Sequence, residues 1–155
     1  MQGAWIGGPY PIHSIRDERY KYIWNPMHEG GFVNFNNIGN RLQCWQSWLR
    51  DAKTNPEAAA IVRRWVKRPE IEFYDTEKDP YELSNLAKDP GYTKLIIHLK
   101  KKLESWMAQQ GDLGIKTELS NPKSNKEAQW KPRLKKYYKA NKVAYDQIFR
   151  RMNKQ

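Results

Sequence analysis

The sequence predicts an α+β fold. Three observations carry that reading: two runs of period two near the start, a short third run in the middle, and a long stripe of apolar residues at helical spacing after it. The chain has 155 residues, about one domain by length. Its mean hydropathy of −0.97 is low, but seven Trp, nine Tyr and four Phe supply enough apolar bulk for a core.

The elements follow in order. In "IHSIRDERYKYIWN", Ile12, Ser14 and Arg16 alternate with His13, Ile15 and Asp17. After "RDER", Tyr20, Tyr22 and Trp24 alternate with Lys21, Ile23 and Asn25. These runs, about 12–16 and 19–25, are predicted to pair as a hairpin. "NPMHEGGFVNFNNIGN" is rich in Asn and Gly and predicts a long loop. Leu42, Trp45, Trp48 and Leu49 share helical spacing over 42–51. Asn55 then offers an N-cap and Pro56 a first helical position for a helix running to about Val66. "EIEFYD" reads as a short strand. Leu95, Leu99, Leu103 and Trp106, widened by Ile96 and Met107, mark the longest helix, with Gly111 as its stop. His98 at the stripe's edge reads as packing.

Residues 116–132 read as a linker, and about Arg133 to Met152 as a basic C-terminal helix with Leu134, Tyr138, Tyr145, Ile148, Phe149 and Met152 on one side. Residues 1–115 are thus expected to form the folded subdomain and 116–155 a linker and basic helical tail. From Lys116 onward there are twelve Lys and Arg against three Asp and Glu, so most of the net charge of +11 lies in that tail. Such a tail suits a polyanion, nucleic acid or acidic glycan, with Trp130, Tyr137 and Tyr138 available for stacking. A solvated helix face is the plainer reading of the same residues.

The segment "EFYDTEKDPYELSNLAKDP" is acidic, with Asp75, Glu77 and Asp79 at alternate positions. A calcium loop starting at Asp75 would need Gly at its sixth place and Glu at its twelfth, where this chain has Pro80 and Leu86. Helix capping fits better. "DPYE" supplies an N-cap at Asp79, Pro80 behind it and a carboxylate at Glu82, and "KDPGY" repeats the device from Asp89. Other chemistries lack their signatures. "IGGPYP" is not followed by the Lys and Ser/Thr of a phosphate loop, and nothing in the chain supports a Ser/His/Asp nucleophile. A single cysteine excludes an intrachain disulfide. No apolar run is long enough for a membrane span, and the first residues lack the pattern of a signal peptide.

In their order, "YPIHSIRDERYKYIWN", "WQSWLRDAKTNPEAAAIVRRWVKRPEIEFYDTEKDPYELSNLAKDP" and "LKKKLESWMAQQGD" resemble the C-terminal portion of the sulfatase family, nearest to the heparan N-sulfatase (N-sulfoglucosamine sulfohydrolase) type. The resemblance covers most of residues 9 to 112. It implies a small antiparallel sheet of about four strands backed by a long helix, packed on a large N-terminal α/β domain. That domain, outside this chain, would hold calcium and a formylglycine made from the Cys of a C-x-P-S-R motif. The implied parent reaction is hydrolysis of a sulfate ester or sulfamate on a sulfated glycan, in a protein that is periplasmic, secreted or lysosomal as the family usually is.

Here the only cysteine reads Cys44-Trp45-Gln46-Ser47-Trp48, without that motif. It is expected to be a packed thiol, and the chain to be a fragment without catalytic residues of its own. The alternative is a small basic polyanion-binding protein. His13 stands where the resembling pattern has Arg, so His13 and Arg16 are candidates for a substrate rim, together with His28 and Glu29 of the long loop. A plain strand residue is the other reading of His13, and a solvent-exposed turn that of His28 and Glu29. Trp5, Tyr10, Trp24 and Phe32 are expected to face the absent domain or, in the isolated chain, a second copy in a homodimer or the chain's own C-terminal tail.

Overall fold

The structure is a computed structural model that describes residues 10–28 and 43–120. It divides into two compact units. The described part of one is a helical hairpin. The described part of the other is a sheet backed by a helix.

The hairpin consists of α1 (Gln43–Asp51) and α2 (Pro56–Val66). Asn55 caps α2 as its sequence predicts. Its Oδ1 accepts from the Glu57 and Ala58 N–H groups at 2.9 and 3.3 Å, and Pro56 occupies a position whose N–H would have no helical partner. Trp45, Leu49 and Ala52 bury against Ala59, Val62 and Val66. Asn55→Ala is expected to cost about 1 kcal/mol, the usual value of a lost N-cap, and a urea titration followed by helical circular dichroism reads it.

The second unit holds β1 (His13–Arg16), β2 (Tyr20–Trp24) and β3 (Ile71–Asp75) in one antiparallel sheet of that order. Ile15 pairs with Tyr22, and Tyr22 with Phe73. Asp17 shapes the β1–β2 turn, because its Oδ1 accepts from the N–H groups of Arg19 and Tyr20 at 2.9 and 2.6 Å. Those donors, Tyr20 first, hold its carboxyl below the ordinary value. Tyr22 and Phe73 point to the same sheet face and meet Leu99, Leu103 and Met107 of α3 (Thr93–Gln109). Tyr20, Phe73 and Tyr92 add an aromatic cluster with ring centroids 5.6 to 6.1 Å apart.

The helix α3 is entered through a 3-10 turn, Pro90–Tyr92, capped by Asp89, whose Oδ1 accepts from Gly91 N at 2.8 Å. It stops at Gly111, whose φ of 67° is the left-handed conformation glycine favours. There Gly111 N–H bonds to Ala108 O and Asp112 N–H to Met107 O, a Schellman closure. Residues 115–120, where the linker is predicted to start, instead form the short helix α4 (Ile115–Ser120). The basic C-terminal helix lies outside the described residues.

Three further expectations need correction. The described sheet has three strands, not about four. The outer edge of β3 is closed by a loop: Asn85 Oδ1 accepts from Phe73 N and its Nδ2 donates to Ile71 O, while Leu86 N–H bonds to Phe73 O. This covers an edge that would otherwise present unpaired groups. Asp79 does not start a helix. Its Oδ2 accepts from Ser84 N at 2.7 Å across a turn, and Glu82 adopts φ 54°, outside the helical range. Trp106 is 53% exposed, because Met107 takes the buried place.

Candidate functional site

Charged groups in the sheet-and-helix unit gather in three places. At the hairpin turn, Arg19 grips Asp75 from two directions, with Nη2 2.7 Å and Nε 3.1 Å from its oxygens. Asp75 is buried at the end of β3 and also accepts from Lys78 N–H. The Arg19 hydrogen bonds hold the Asp75 carboxyl below its ordinary value and push the guanidinium further up. Glu77 lies 3.3 Å from the same Arg19 and is mostly exposed. Beside this pair, Lys21 Nζ donates to both oxygens of Glu82 at 2.7 and 2.9 Å. The acidic segment is thus tied to the hairpin by two cations, and it pins a non-glycine residue in the left-handed region.

Stability from the Arg19–Asp75 pair has a defined pH dependence. A carboxyl whose folded-state pKa is lowered stabilises the fold above its unfolded value, ordinarily 3.8. That contribution is lost as pH falls through the lowered value. Asp75→Asn is therefore expected to lower the melting temperature at neutral pH and to flatten the acid limb of melting temperature against pH. An unchanged acid limb would show that Arg19 does not govern this titration.

The second place lies inside the unit. Asn25 is fully buried at the end of β2. Its Nδ2 donates to Pro69 O at 2.8 Å and to Glu72 Oε1 at 2.7 Å, and Tyr74 OH donates to Glu72 Oε2 at 2.6 Å. Asn25 N–H also bonds to Glu70 O. A carboxylate that is only 3% exposed is thereby supplied with donors, as burial requires.

The third place joins β1 to the end of α3. His13 Nε2 donates to Asp112 Oδ2 at 3.0 Å, and Asp112 Oδ1 accepts from Gly114 N–H at 2.7 Å. The His13 ring lies 5.4 Å from that of Trp24. Gly114 has φ 64°, and a side chain there would come within 3.3 Å of Trp24. His13 Nδ1 is buried and has no hydrogen-bond partner among the described residues.

Three of the four rim candidates lie among the described residues. His13 is committed to Asp112. Arg16, at the exposed end of β1, donates from Nε to Asp17 O at 3.3 Å. His28 sits in the turn after β2, where its N–H bonds to Asn25 O and its Nδ1 is buried. Glu29 lies outside the described residues. No hydrogen bond or ring contact joins His13, Arg16 and His28 to one another. Sequence reasoning missed Arg19–Asp75, Lys21–Glu82 and His13–Asp112 as pairs, since 56, 61 and 99 positions separate the partners.

Cys44 is exposed, which corrects the packed thiol expected from its Trp-rich surroundings. It precedes Trp45, which takes the buried place in the first turn of α1. Of the four junction candidates, Tyr10 is buried and Trp24 half-buried, while Trp5 and Phe32 lie outside the described residues. No group of His, Cys, Asp and Glu among the described residues is arranged to hold a metal ion, and no described helix is long and apolar enough to cross a membrane.

No family model matches the chain. Individual proteins do. The chain is 35% identical over 106 residues to an ulvan-active sulfatase of Formosa agariphila, a match that covers 65% of the chain and 17% of that protein. A second ulvan-active sulfatase of the same organism is 33% identical over 108 residues, 67% of the chain and 18% of the relative. Human N-sulphoglucosamine sulphohydrolase is 26% identical over 114 residues, 66% of the chain and 21% of the relative. The chain thus spans about a fifth of the length of the curated relatives it matches. By sequence it is a relative of the sulfatases, and its α+β fold of a small antiparallel sheet on a long helix is consistent with a C-terminal sulfatase subdomain.

Proposed function

We propose that residues 1–115 serve as the C-terminal subdomain of a sulfatase that hydrolyses sulfate esters or sulfamates on sulfated glycans, and that they supply scaffold rather than catalysis. The observation that carries this reading is the coverage. About two-thirds of the chain matches about a fifth of each sulfatase, and the one cysteine lies in C-W-Q-S-W.

The described residues do not fit calcium or a formylglycine. Both oxygens of Asp75 accept from Arg19, Asp79 Oδ2 accepts from a backbone N–H, and Cys44 lacks the Pro and Arg of the modification motif. On this reading both groups belong to an α/β domain outside the chain, and that domain is its partner. His13, Arg16, His28 and Glu29 remain the residues proposed for the substrate rim. The basic tail, with a net charge of +9, favours a second reading in which the chain binds a polyanion by itself.

Turnover tests the first reading. Residues 1–155, co-expressed with a formylglycine-generating enzyme and supplied with calcium, are expected to hydrolyse neither an aryl sulfate nor a sulfated disaccharide. Calcium-dependent turnover that disappears in Cys44→Ala would overturn it. An in-frame C-x-P-S-R upstream of residue 1 in the same gene is the result that supports the absent domain.

A further inference from the structure

We propose that the outer edge of β1 receives an extended segment of polypeptide from outside this chain as a further strand, with apolar side chains toward α3 and polar ones on the other face. The two edges of the sheet differ. The outer edge of β3 is closed by Asn85 and Leu86. Among the described strands, β1 pairs with β2 alone. One bond fixes which of its groups stay open. Asp17 N–H bonds to Tyr20 O, and bonding alternates along an antiparallel pair. Ile15 and His13 therefore turn their N–H and C=O groups toward Tyr22 and Trp24, while Ser14 and Arg16 turn theirs away from β2. Ser14 and Arg16 are exposed, and no backbone hydrogen bond from another described residue reaches that side. Native sheets blunt a free edge with proline, lysine, a bulge or a covering loop. The strand reads HSIR and pairs with β2 without interruption, so it has none of the first three. It keeps the geometry for strand addition, in which main-chain bonds give attachment and alternate side chains give selectivity.

Size decides the occupant. Four residues make an edge about 13 Å long. Such a strip is far short of the roughly 800 Å² per partner of a stable protein interface, so it would not hold a second copy or a separate protein by itself. A segment of the same polypeptide meets the edge at high effective concentration and needs little affinity of its own. The chain spans about a fifth of the length of its sulfatase relatives. On the sulfatase reading, the remaining length lies outside the chain and supplies the occupant, and the inference rests on that reading. The neighbours set the side-chain pattern. His13 and Ile15 lie on the α3 side, where Ile15 packs against the cluster of Tyr22 and Phe73 and an apolar neighbour would extend it. Ser14 and Arg16 open to solvent on the other face, where polar neighbours suit. The edge stands or falls by strand pairing, whereas the sulfatase reading stands or falls by turnover and the upstream sequence.

Amide hydrogen exchange of the full chain, followed by nuclear magnetic resonance, tests the edge. The probe is a nine-residue peptide of alternating threonine and valine at millimolar concentration, which supplies in solution what a tether supplies within one polypeptide. Exchange at Ser14 and Arg16 is expected to slow about fivefold, as a mostly occupied site requires. The Ile15 amide, already turned to Tyr22, should not change. Ser14→Pro removes one outward N–H and spares the β1–β2 ladder, as proline on an edge strand does, so it should abolish the slowing at Arg16. If that variant does not fold, the contrast between Arg16 and Ile15 in the native chain still decides. Unchanged exchange at Ser14 and Arg16, or equal slowing at Ile15, overturns the proposal. So does slow exchange at both amides without peptide, since the edge would then already be covered, by a second copy if dilution restores fast exchange. A peptide with serine in place of every valine that slows exchange equally overturns the apolar pattern assigned to the occupant.

Discussion

Phe73→Ala is expected to be the most damaging single truncation in the sheet-and-helix unit. Phe73 is 0% exposed at the centre of β3. It stacks on Tyr20 at 5.6 Å with its ring plane only 14° away, meets Tyr92 at 5.7 Å, and packs in the same cluster as Leu99 and Leu103. Removing the ring loses its burial and leaves a void that strands on one side and a helix on the other cannot fill without moving. The expected loss is about 3–5 kcal/mol, a large part of the roughly 5–15 kcal/mol that holds a domain folded. A urea titration followed by near-ultraviolet circular dichroism should show the transition moved to much lower denaturant or absent. Ile97→Ala is the control. Ile97 is 48% exposed on α3, so its loss should stay within about 0.5 kcal/mol. Equal losses in the two variants would mean that the cluster around Phe73 does not hold the sheet to the helix.

The backbone Phe73 sits on also explains the acidic segment. Asn85 and Leu86 follow β3 by only about ten residues, and they return to bond its free edge at Phe73 and Ile71. The turn between them must therefore reverse sharply. Glu82 in the left-handed region makes that reversal possible, and Lys21 holds Glu82 there from β2. Asp75, Asp79 and Glu82 each serve this return. Arg19 ties its first residue, the Ser84 N–H its middle and Lys21 its apex. The acidity of the stretch is local hydrogen-bonding chemistry, set against two cations of the hairpin.

What could be read from the sequence follows the range of the interactions. Asn55 with Pro56, Gly111 after the α3 stripe, and the alternation of about 12–16 and 19–25 are short-range signals, and the elements stand within a residue or so of where they point. Asp79 misled because Asp-Pro suits the start of a turn as well as that of a helix. The choice was made by Asn85 and Lys21, neither adjacent to it. Cys44 misled because helical spacing gives faces but not which of two neighbouring residues points inward. The rim candidates depended on the register of distant parts. Only the fold shows that His13 meets Asp112, so that its Nε2 is already occupied by a carboxylate of the same unit.

Asn25→Ala is expected to have the second-largest effect, and it probes a different kind of stabilisation. Asn25 is 0% exposed, and its amide donates to the Pro69 carbonyl and the Glu72 carboxylate. Alanine leaves both acceptors without those donors inside the protein, one of them an acid only 3% exposed. An unsatisfied buried acceptor costs about 1–3 kcal/mol, more when charged, so a loss of about 3 kcal/mol is expected despite the small volume removed. Part is offset, because Asn25 Oδ1 is itself buried with no donor among the described residues. Glu72→Gln keeps the shape and an acceptor oxygen while removing charge, so it should cost less than Asn25→Ala. The Asn25→Ala/Glu72→Gln double variant should then lose less than the sum of the single losses, since the charge that the Asn25 amide helps to satisfy is gone. Chemical denaturation of the four proteins gives that coupling. Strict additivity would mean that the Asn25 amide stabilises the fold through Pro69 alone and that Glu72 is satisfied without it.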